Sequence, residues 1–115
     1  MRKIALVANT SWYLYNVRLR LANALTANGY QVIVIAPRDK YSSYFKAQGF
    51  EYHNITIFNK SKNPLVDLYT LLNFIRIYSK IKPDIILQYT IKPNIYGTIA
   101  AVLLNLPCIN NISGL

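Results

Sequence analysis

The segment that follows the first apolar run carries the side chains best suited to bind a carbohydrate. It reads NTSWYLYN over residues 9–16, and its amide and hydroxyl groups stand beside an indole ring, in Asn9, Thr10, Ser11 and Trp12. Such groups can hydrogen-bond sugar hydroxyls, and an aromatic ring can stack on the C–H face of a sugar. The segment has no glycine, so it matches neither the G-x-G-x-x-G dinucleotide fingerprint nor the P-loop. We predict a sugar-binding loop here; the alternative is that its rings cap the core.

A second polar segment follows the fourth apolar run and leads directly into a helix-forming stretch. It begins with Tyr89 and offers a hydroxyl group in Thr90, a positive charge in Lys92 and an amide in Asn94. With Asn94 as N-cap, the free N–H groups of the first helical turn would form an anion site. Arg18, in the first predicted helix, borders the buried stripe and can lean toward the same place. The alternatives are a plain turn with an exposed lysine and, for Arg18, a solvated basic face.

The composition excludes several classes of enzyme. The chain has 13 Lys and Arg against 4 Asp and Glu, a net charge of +9, and one histidine and one cysteine. The single cysteine, Cys108, excludes a disulfide framework and a cysteine-based zinc site, and is best read as a small core residue. The single histidine, His53, falls in a predicted edge strand and supports neither a multi-histidine metal centre nor a Ser-His-Asp triad. We predict no metal and no cofactor, and the residues identify no catalytic group.

Strand and helix patterns alternate along the whole chain. Continuous apolar runs such as VIVIA are typical of strands that are buried on both faces of a parallel sheet. Five strands separated by helices predict an α/β fold, a Rossmann-like three-layer α/β/α sandwich with a parallel sheet in the order 3-2-1-4-5. We expect residues 1–115 to form one such domain. The predicted strands are 3–8, 31–36, 51–57, 84–88 and 108–112; the predicted helices are 14–28, 41–48, 64–82 and 95–105, with a polar loop at 58–63.

This strand order predicts where a ligand would bind. In this order, strands 2 and 3 are added on one side of strand 1 and strands 4 and 5 on the other. Open parallel sheets bind ligands at such a switch point, beyond the carboxyl ends of the strands. The segments 9–13 and 89–94 should therefore flank the binding crevice. The sequence ends in NISGL just where the segment after the fifth strand should enter the same crevice, so we expect that it is cut there.

The longest predicted helix has more apolar residues than one buried face needs. Its two stripes are Leu65, Leu68, Leu72 and Ile75, and Leu71, Phe74, Tyr78 and Ile81. We expect neighbouring elements to bury both stripes; the alternative is a surface for a partner domain or for lipid headgroups. The basic charges are dispersed and no nucleic-acid motif accompanies them, so a basic nucleic-acid-binding domain is the least favoured function. No segment reaches membrane-spanning length, and the short N-terminal apolar run favours a buried strand over a signal peptide.

Taken together, these segments resemble the N-terminal domain of glycosyltransferase family 4, a GT-B family. The resemblance covers essentially all 115 residues. It looks most like the bacterial subgroup that extends lipid-linked oligosaccharides or capsular repeat units. The stretches that carry it are KIALVANTSWYLYNVRLRLANAL, GYQVIVIAPRDKYS, FNKSKNPLVDLYTL, KPDIILQYTIKPNIYGTIAA and NISGL, and the combination of WYLYNVR, APRDKYS and TIKPNIYG is fairly specific.

The resemblance implies two Rossmann-like domains that face each other across a cleft. The N-terminal domain mainly binds the acceptor, and the C-terminal domain binds the nucleotide-sugar and carries an E-x7-E-type motif, which a chain with Glu51 as its one glutamate lacks. The glycine-rich turn after the fifth strand is cut at Gly114, a predicted binding residue. Some members carry histidine at or beside the end of strand 4, where this chain has Gln88 and Tyr89. Members generally need no metal, and the nucleotide-sugar is a substrate.

Residues and resemblance together predict the acceptor-binding half of a retaining glycosyltransferase, which transfers a sugar from a nucleotide-sugar to a lipid-linked or polysaccharide acceptor. We expect that residues 1–115 lack the C-terminal donor-binding domain and that they are inactive alone. The expected partners are that domain or an equivalent subunit, a lipid-linked glycan acceptor and a peripheral membrane surface, with no nucleic acid. The expected location is the cytoplasm, or the inner face of the cell membrane. The alternative is a stand-alone Rossmann-like binding subunit of a split glycosyltransferase.

Overall fold

Five short strands and five α-helices alternate along the chain, in a computed structural model that describes residues 2–57 and 63–111. A π-helical segment, Pro93–Gly97, leads into the last helix. The strands are β1 (Lys3–Val7), β2 (Gln31–Ala36), β3 (Glu51–Asn54), β4 (Ile85–Tyr89) and β5 (Cys108–Asn111). The helices are α1 (Ser11–Val17), α2 (Leu19–Ala27), α3 (Ser42–Ala47), α4 (Pro64–Ile81) and α5 (Thr98–Leu104).

All five strands are parallel, and their order across the sheet is β3-β2-β1-β4-β5. β1 is central, with Val7 in register with Ile35 of β2 on one side and with Gln88 of β4 on the other. β2 and β3 lie on one side of β1 and β4 and β5 on the other, so the topological switch point of the sheet lies between β1 and β4. The predicted α/β fold and strand order are therefore confirmed.

The two faces of the sheet form two separate cores, because alternate residues of a strand point to opposite sides. On one face, Ile4 and Leu6 of β1 pack in a cluster that includes Leu14 of α1, Ala22 of α2 and Phe45 of α3. The neighbouring β1 residues face the other side, toward α4, the π-helical segment and α5, in a cluster with Phe74, Tyr78, Ala100 and Ala101. The result is the predicted three-layer arrangement, with β1 and β2 almost entirely buried.

The first helix differs from the prediction of one helix over 14–28. It begins at Ser11 because the side chain of Thr10 accepts a hydrogen bond from the backbone N–H of Tyr13, at 3.0 Å, and so caps the free end. It is then interrupted at Arg18, whose backbone (φ −117°, ψ 6°) leaves the helical region before α2 starts. The predicted loop after β1 is therefore short, and Trp12 and Tyr13 lie on a helix.

The long helix α4 begins as its sequence predicts. Asn63 is the N-cap, with its side chain accepting from the backbone N–H of Leu65 at 2.9 Å, and Pro64 occupies the first turn. The helix ends at Ile81, and Lys82 takes the left-handed conformation (φ 50°) that often terminates helices. β3 is shorter than predicted and ends at Asn54. Most of the predicted polar loop, 58–62, and the last residue of the predicted fifth strand lie outside the described residues.

Candidate functional site

The segments after β1 and β4 meet at the carboxyl edge of the sheet, as the strand order requires. The backbone N–H of Asn9 donates to the hydroxyl group of Thr90 at 3.1 Å and joins the two segments directly. Thr90 adopts a left-handed conformation (φ 70°), which is uncommon for a β-branched residue and turns the chain sharply from β4 into the following helix. The two segments that are predicted to flank one crevice do lie side by side.

Arg18 packs against two tyrosine rings at this junction. Its Nη2 and Nε atoms donate to the hydroxyl oxygen of Tyr13 at 3.1 and 3.3 Å. Its guanidinium carbon lies 4.6 Å from the ring centre of Tyr89, a cation–π distance, and the centres of the two rings are 5.9 Å apart. The break between α1 and α2 at Arg18 is what places the guanidinium over these rings. The basic side chain is thus held toward the crevice, as the sequence predicts.

The charge of Arg18 also affects the ring beneath it. Burial raises the pKa of the Tyr89 hydroxyl, Arg18 partly opposes this rise, and Tyr13 adds to it. Tyr89 is therefore a neutral hydroxyl group at physiological pH. The contacts of Arg18 with Tyr13 and Tyr89 do not pair its guanidinium with a carboxylate. A guanidinium has five N–H donors, and Tyr13 occupies only one side of the group, so the arrangement can present a cation to a phosphate oxygen.

The polar side chains at the start of α1 have different environments. Ser11 is fully buried and donates to the carbonyl of Pro37 at 2.7 Å, so its hydroxyl group ties α1 to the segment after β2. Thr10 is the cap, and Asn9 is partly buried beside Thr90. Trp12 is 51% exposed, which leaves its ring accessible to a ligand. The hydroxyl groups of Ser11 and Thr10 are therefore used in hydrogen bonds to the backbone. The ring of Trp12 is accessible to a ligand.

Lys92 lies against an acidic side chain that is distant from it in the sequence. Its Nζ atom is 3.7 Å from Oδ1 of Asp67 in the first turns of α4, and its side chain is only 14% exposed. Burial and a hydrogen bond with Asp67 raise the pKa of Tyr96, so the hydroxyl group of Tyr96 lies in the same polar cluster as Lys92 and Asp67. A single charge in a sequence segment cannot reveal such a partner, because residues 67 and 92 are brought together only by the packing of two helices.

The prediction that Asn94 is an N-cap is wrong. Helical structure begins at residue 91, and Asn94 lies inside the π-helical segment. The reason is the sharp turn at Thr90, whose carbonyl accepts from the backbone N–H of Asn94 at 3.3 Å and from its Nδ2 atom at 2.6 Å. Pro93 is tolerated because the first turn of a helix needs no internal hydrogen bond from its N–H.

Asn94 nevertheless faces the edge of the sheet. Its Nδ2 atom also donates to the carbonyl of Asn111, at the end of β5, at 3.1 Å. Its Oδ1 atom is buried and has no hydrogen-bond partner within the described part of the chain. A buried acceptor without a donor is energetically unfavourable, so a hydroxyl group that reached this oxygen would be bound favourably, although the oxygen has almost no exposed surface in this structure.

A network of amides and hydroxyl groups supports the β4 side from below. Gln88 is fully buried; its Oε1 accepts from the hydroxyl of Tyr78 at 2.9 Å, and its Nε2 donates to Thr98 at 3.0 Å and to Asn110 at 2.6 Å. A Cβ atom on Gly97 would lie 2.0 Å from this Oε1, so the glycine makes room for the amide. Gln88 thus holds the end of β4 to the helices on that face of the sheet and to β5.

Several features lie outside this site. His53 is on edge strand β3, with Nε2 2.6 Å from Glu51, and is away from the switch point as predicted. Gly114 falls outside the described residues. A cavity of about 600 Å³ near Gly29 and Gly49 lies at the amino ends of β2 and β3, the edge of the sheet opposite to that at which such folds bind ligands. Within 2–57 and 63–111, no three His, Cys, Asp or Glu side chains are grouped as metal ligands, and no helix is long and apolar enough to cross a membrane.

The fold and the position of the crevice define a class, the Rossmann-like domains that make up GT-B proteins. The chain belongs to the Glycosyl transferase 4-like family, whose pattern it matches over residues 3–115. A comparison with curated proteins found no match.

Solved structures show the same fold at low sequence identity. MurG of Acinetobacter baumannii superposes with a TM-score of 0.76 at 21% identity, over 97% of this chain and 34% of that one. The glycosyltransferase SsfS6 of Streptomyces sp. SF2575 gives 0.65 at 17%, over 97% and 39%. The UDP-GlcNAc 2-epimerase of Methanocaldococcus jannaschii gives 0.68 at 16%, over 98% and 32%. The chain therefore spans roughly a third of the length of each, and its fold occurs in transferases and in an epimerase.

Proposed function

We propose that this chain is the acceptor-binding half of a retaining glycosyltransferase. The whole protein would transfer a sugar from a nucleotide-sugar to a lipid-linked or polysaccharide acceptor. The observation that carries the proposal is the pairing of Arg18 and Asn94 on the two sides of the switch point. Arg18 presents a cation packed against tyrosine rings, and Asn94 has a buried amide oxygen with no hydrogen-bond donor among residues 2–57 and 63–111. Family membership supplies the reaction class, and the crevice supplies groups that suit a phosphorylated glycan.

Three parts of the acceptor would have separate binding groups. A phosphate or diphosphate would bind the outer N–H groups of Arg18, whose contacts with Tyr13 and Tyr89 bring no carboxylate to the guanidinium. A sugar hydroxyl would donate to Oδ1 of Asn94 and would satisfy that buried atom. The exposed ring of Trp12 would stack on the C–H face of a sugar.

The donor half would come from a C-terminal domain or an equivalent partner subunit. The described part of the crevice has no glycine-rich phosphate loop after β1, since the residues from Asn9 to Val17 include no glycine. The nucleotide-sugar would therefore bind mainly on the other side of the cleft, and its diphosphate leaving group would be stabilised there. The nucleotide-sugar is a substrate in this scheme, and no metal is assigned a role.

The test measures acceptor and donor use separately, in the protein that contains this chain together with its donor-binding half. Arg18→Ala should lower kcat/KM for the acceptor roughly tenfold to a hundredfold, the loss of one charged hydrogen bond to phosphate. The KM for the donor should stay nearly constant. Arg20→Ala is the matched control, because Arg20 is an exposed arginine on the same segment, in α2. A change confined to the donor KM would contradict the proposal.

A further inference from the structure

Large apolar side chains are exposed on both faces of the sheet, and their chemistry differs. On α4, Leu65, Leu68 and Leu72 are exposed, so the prediction that neighbouring elements bury this stripe is wrong for these three residues. The exposed side chains of that stripe are aliphatic. On the opposite face of the sheet, α1 and α3 expose aromatic rings that carry polar atoms, in Trp12 (51%) and Tyr44 (43%).

Four aromatic side chains lie together where α1 meets α3. The ring centres of Tyr15, Tyr41 and Tyr44 are between 5.2 and 5.5 Å from one another. Trp12 precedes Tyr15 by three positions on α1, so the two side chains lie on the same side of that helix. The Tyr15 ring also packs edge-on against the buried ring of Phe45, with centres 5.6 Å apart. We name Trp12, Tyr15, Tyr41 and Tyr44 the aromatic platform.

The carboxylate of Asp39 fixes the backbone on two sides of the aromatic platform. Its Oδ2 atom accepts from the backbone N–H of Trp12 at 3.1 Å, and its Oδ1 atom accepts from the backbone N–H of Tyr41 at 2.7 Å. The buried hydroxyl groups of Ser11 and Ser42, 3.2 Å apart, join the starts of α1 and α3. Because the elements that carry the rings are already held together, a ligand would bind the platform at a small ordering cost.

Polar groups stand beside the rings. The hydroxyl group of Tyr15 accepts from Nε2 of Gln48 at 3.2 Å. Within residues 2–57 and 63–111, no acceptor takes the hydroxyl protons of Tyr15, Tyr41 and Tyr44. The Nζ atom of Lys40 lies 5.3 Å from the ring centre of Tyr41. The aromatic platform therefore offers ring faces together with hydroxyl groups that can donate and accept hydrogen bonds.

The first turn of α1 connects the aromatic platform to the candidate site. Tyr13 lies on the β4 side of this turn, where it contacts Arg18 and the ring of Tyr89. Trp12, the residue before it, bonds Asp39 in the segment after β2. A ligand held at Arg18 that extends past Trp12 would therefore reach the rings between α1 and α3.

We infer that the aromatic platform binds the sugar chain of the acceptor, and that the acceptor is a glycan that already carries several sugars. A sugar has C–H groups on its faces and hydroxyl groups at its rim, so it fits ring faces that have polar groups beside them. Neighbouring rings can bind consecutive sugars of one chain, whereas an acyl chain would gain nothing from the hydroxyl groups. Earlier glycosyl transfers would supply such an acceptor. Its assignment as the acceptor rests on the proposed function; oligosaccharide binding can be measured without transfer.

The experiment is saturation-transfer-difference NMR on the protein that contains this chain together with its donor-binding half, without any nucleotide-sugar. The probes are free tetrasaccharides of glucose, galactose, mannose or N-acetylglucosamine, and the four monosaccharides. The wild type should bind at least one tetrasaccharide more tightly than its monosaccharide. Tyr44→Ala should weaken that binding about threefold to tenfold, the scale of one ring contact, and the double variant Trp12→Ala, Tyr44→Ala should weaken it further. Tyr44→Phe keeps the ring and should lose less than Tyr44→Ala.

The matched control is Tyr69→Ala. Tyr69 is a similarly exposed tyrosine (50%), but it lies on α4, on the opposite face of the sheet. The control should bind the tetrasaccharide like the wild type, and all variants should keep the wild-type circular dichroism spectrum. Equal binding by the control and Tyr44→Ala would overturn the inference, as would a wild type that binds none of the four tetrasaccharides. A Tyr44→Ala variant that loses binding of vesicles or of the nucleotide-sugar, with tetrasaccharide binding unchanged, would also overturn it.

Failure of this inference and failure of the proposed function give different results. With acceptors that carry one sugar or four sugars, wild-type kcat/KM should rise with the number of sugars, and Tyr44→Ala should lower it more for the longer acceptor. Transfer that does not depend on the number of sugars, by a protein that binds no tetrasaccharide, would keep the proposed function and remove the role of the aromatic platform. Tetrasaccharide binding at the platform by a protein that transfers no sugar would do the reverse.

Discussion

Arg18 and Lys92 lie on the two sides of the switch point, and the sequence predicts the same anion-binding role for both. Arg18 packs on the rings of Tyr13 and Tyr89 and donates to the hydroxyl of Tyr13, and within residues 2–57 and 63–111 it forms no ion pair with a carboxylate. Lys92 lies 3.7 Å from a carboxylate and is mostly buried. Position in the fold decides whether a cation is near the crevice, and its neighbours decide whether its charge is available. The β1 side is therefore equipped to bind an anion, whereas the β4 side offers amide and hydroxyl groups.

The largest effect should come from the scaffold of the β4 side. Gly97→Ala places a Cβ atom 2.0 Å from Oε1 of Gln88, a side chain that is fixed by one buried and two partly buried hydrogen bonds and cannot move aside without losing them. We expect the free energy of unfolding to fall by about 3 kcal/mol. Urea denaturation followed by circular dichroism measures it.

The control for this prediction is another glycine, in an open position. Gly49 has a positive φ of 88° and no atom within 4 Å of an added Cβ. Gly49→Ala should therefore cost only about 1 kcal/mol, through backbone strain alone. Equal losses for both variants would mean that crowding at Gln88 is not what the glycine prevents.

The fold could be predicted from the sequence, because helix caps and apolar runs are patterns of neighbouring residues. Asn63 and Pro64 predict the start of α4 correctly, and continuous apolar runs identify β1 and β2 as central strands. Contacts between distant residues were not predictable in the same way. Asp67 meets Lys92 across two helices, and Asn94 loses its capping role because Thr90 turns the chain. The sequence pattern thus placed the segments after β1 and β4 at the same edge of the sheet and could not assign the contacts of each side chain in them.

A smaller, functional effect should distinguish charge from geometry at Arg18. Arg18→Lys keeps the positive charge but loses the planar group that packs on Tyr89 and bonds Tyr13. We expect acceptor kcat/KM to fall by about tenfold or less, less severely than for Arg18→Ala. Steady-state kinetics with the acceptor varied at saturating donor measures this loss. If lysine is as harmful as alanine, the rings matter more than the charge.

The β4 side should respond in the opposite direction when its carboxylate is neutralised. Asp67→Asn removes the charge beside Lys92, so binding of an anionic acceptor should improve by about twofold to fivefold, the scale of a partly screened charge pair. Lys92→Met should change acceptor use by less than Arg18→Ala does. Acceptor KM values for the three variants measure the order. If Lys92→Met weakens acceptor use as much as Arg18→Ala does, both sides of the switch point bind the anion.

The smallest effect concerns the proton on Tyr89. Burial raises its pKa above the usual value for tyrosine, and Arg18 opposes that rise. Arg18→Gln should therefore move the ionisation of Tyr89 to still higher pH, which ultraviolet absorbance of tyrosinate detects when the Tyr89→Phe variant is used as the reference.

The sign for stability follows from the same shift. A folded-state pKa above the unfolded one means that the folded protein holds the proton longer, so the contribution of Tyr89 is complete below about pH 10 and is lost as pH rises through its folded pKa. Burial raises the pKa of Tyr78 well above the usual value for tyrosine, so Tyr78 contributes to the pH dependence of stability in the same direction. Tyr89→Phe should thus make the alkaline fall in stability slightly shallower, and Arg18→Gln should steepen it. An unchanged Tyr89 titration in Arg18→Gln would mean that the guanidinium does not act on this ring in solution, and Arg18 would lose its place at the crevice.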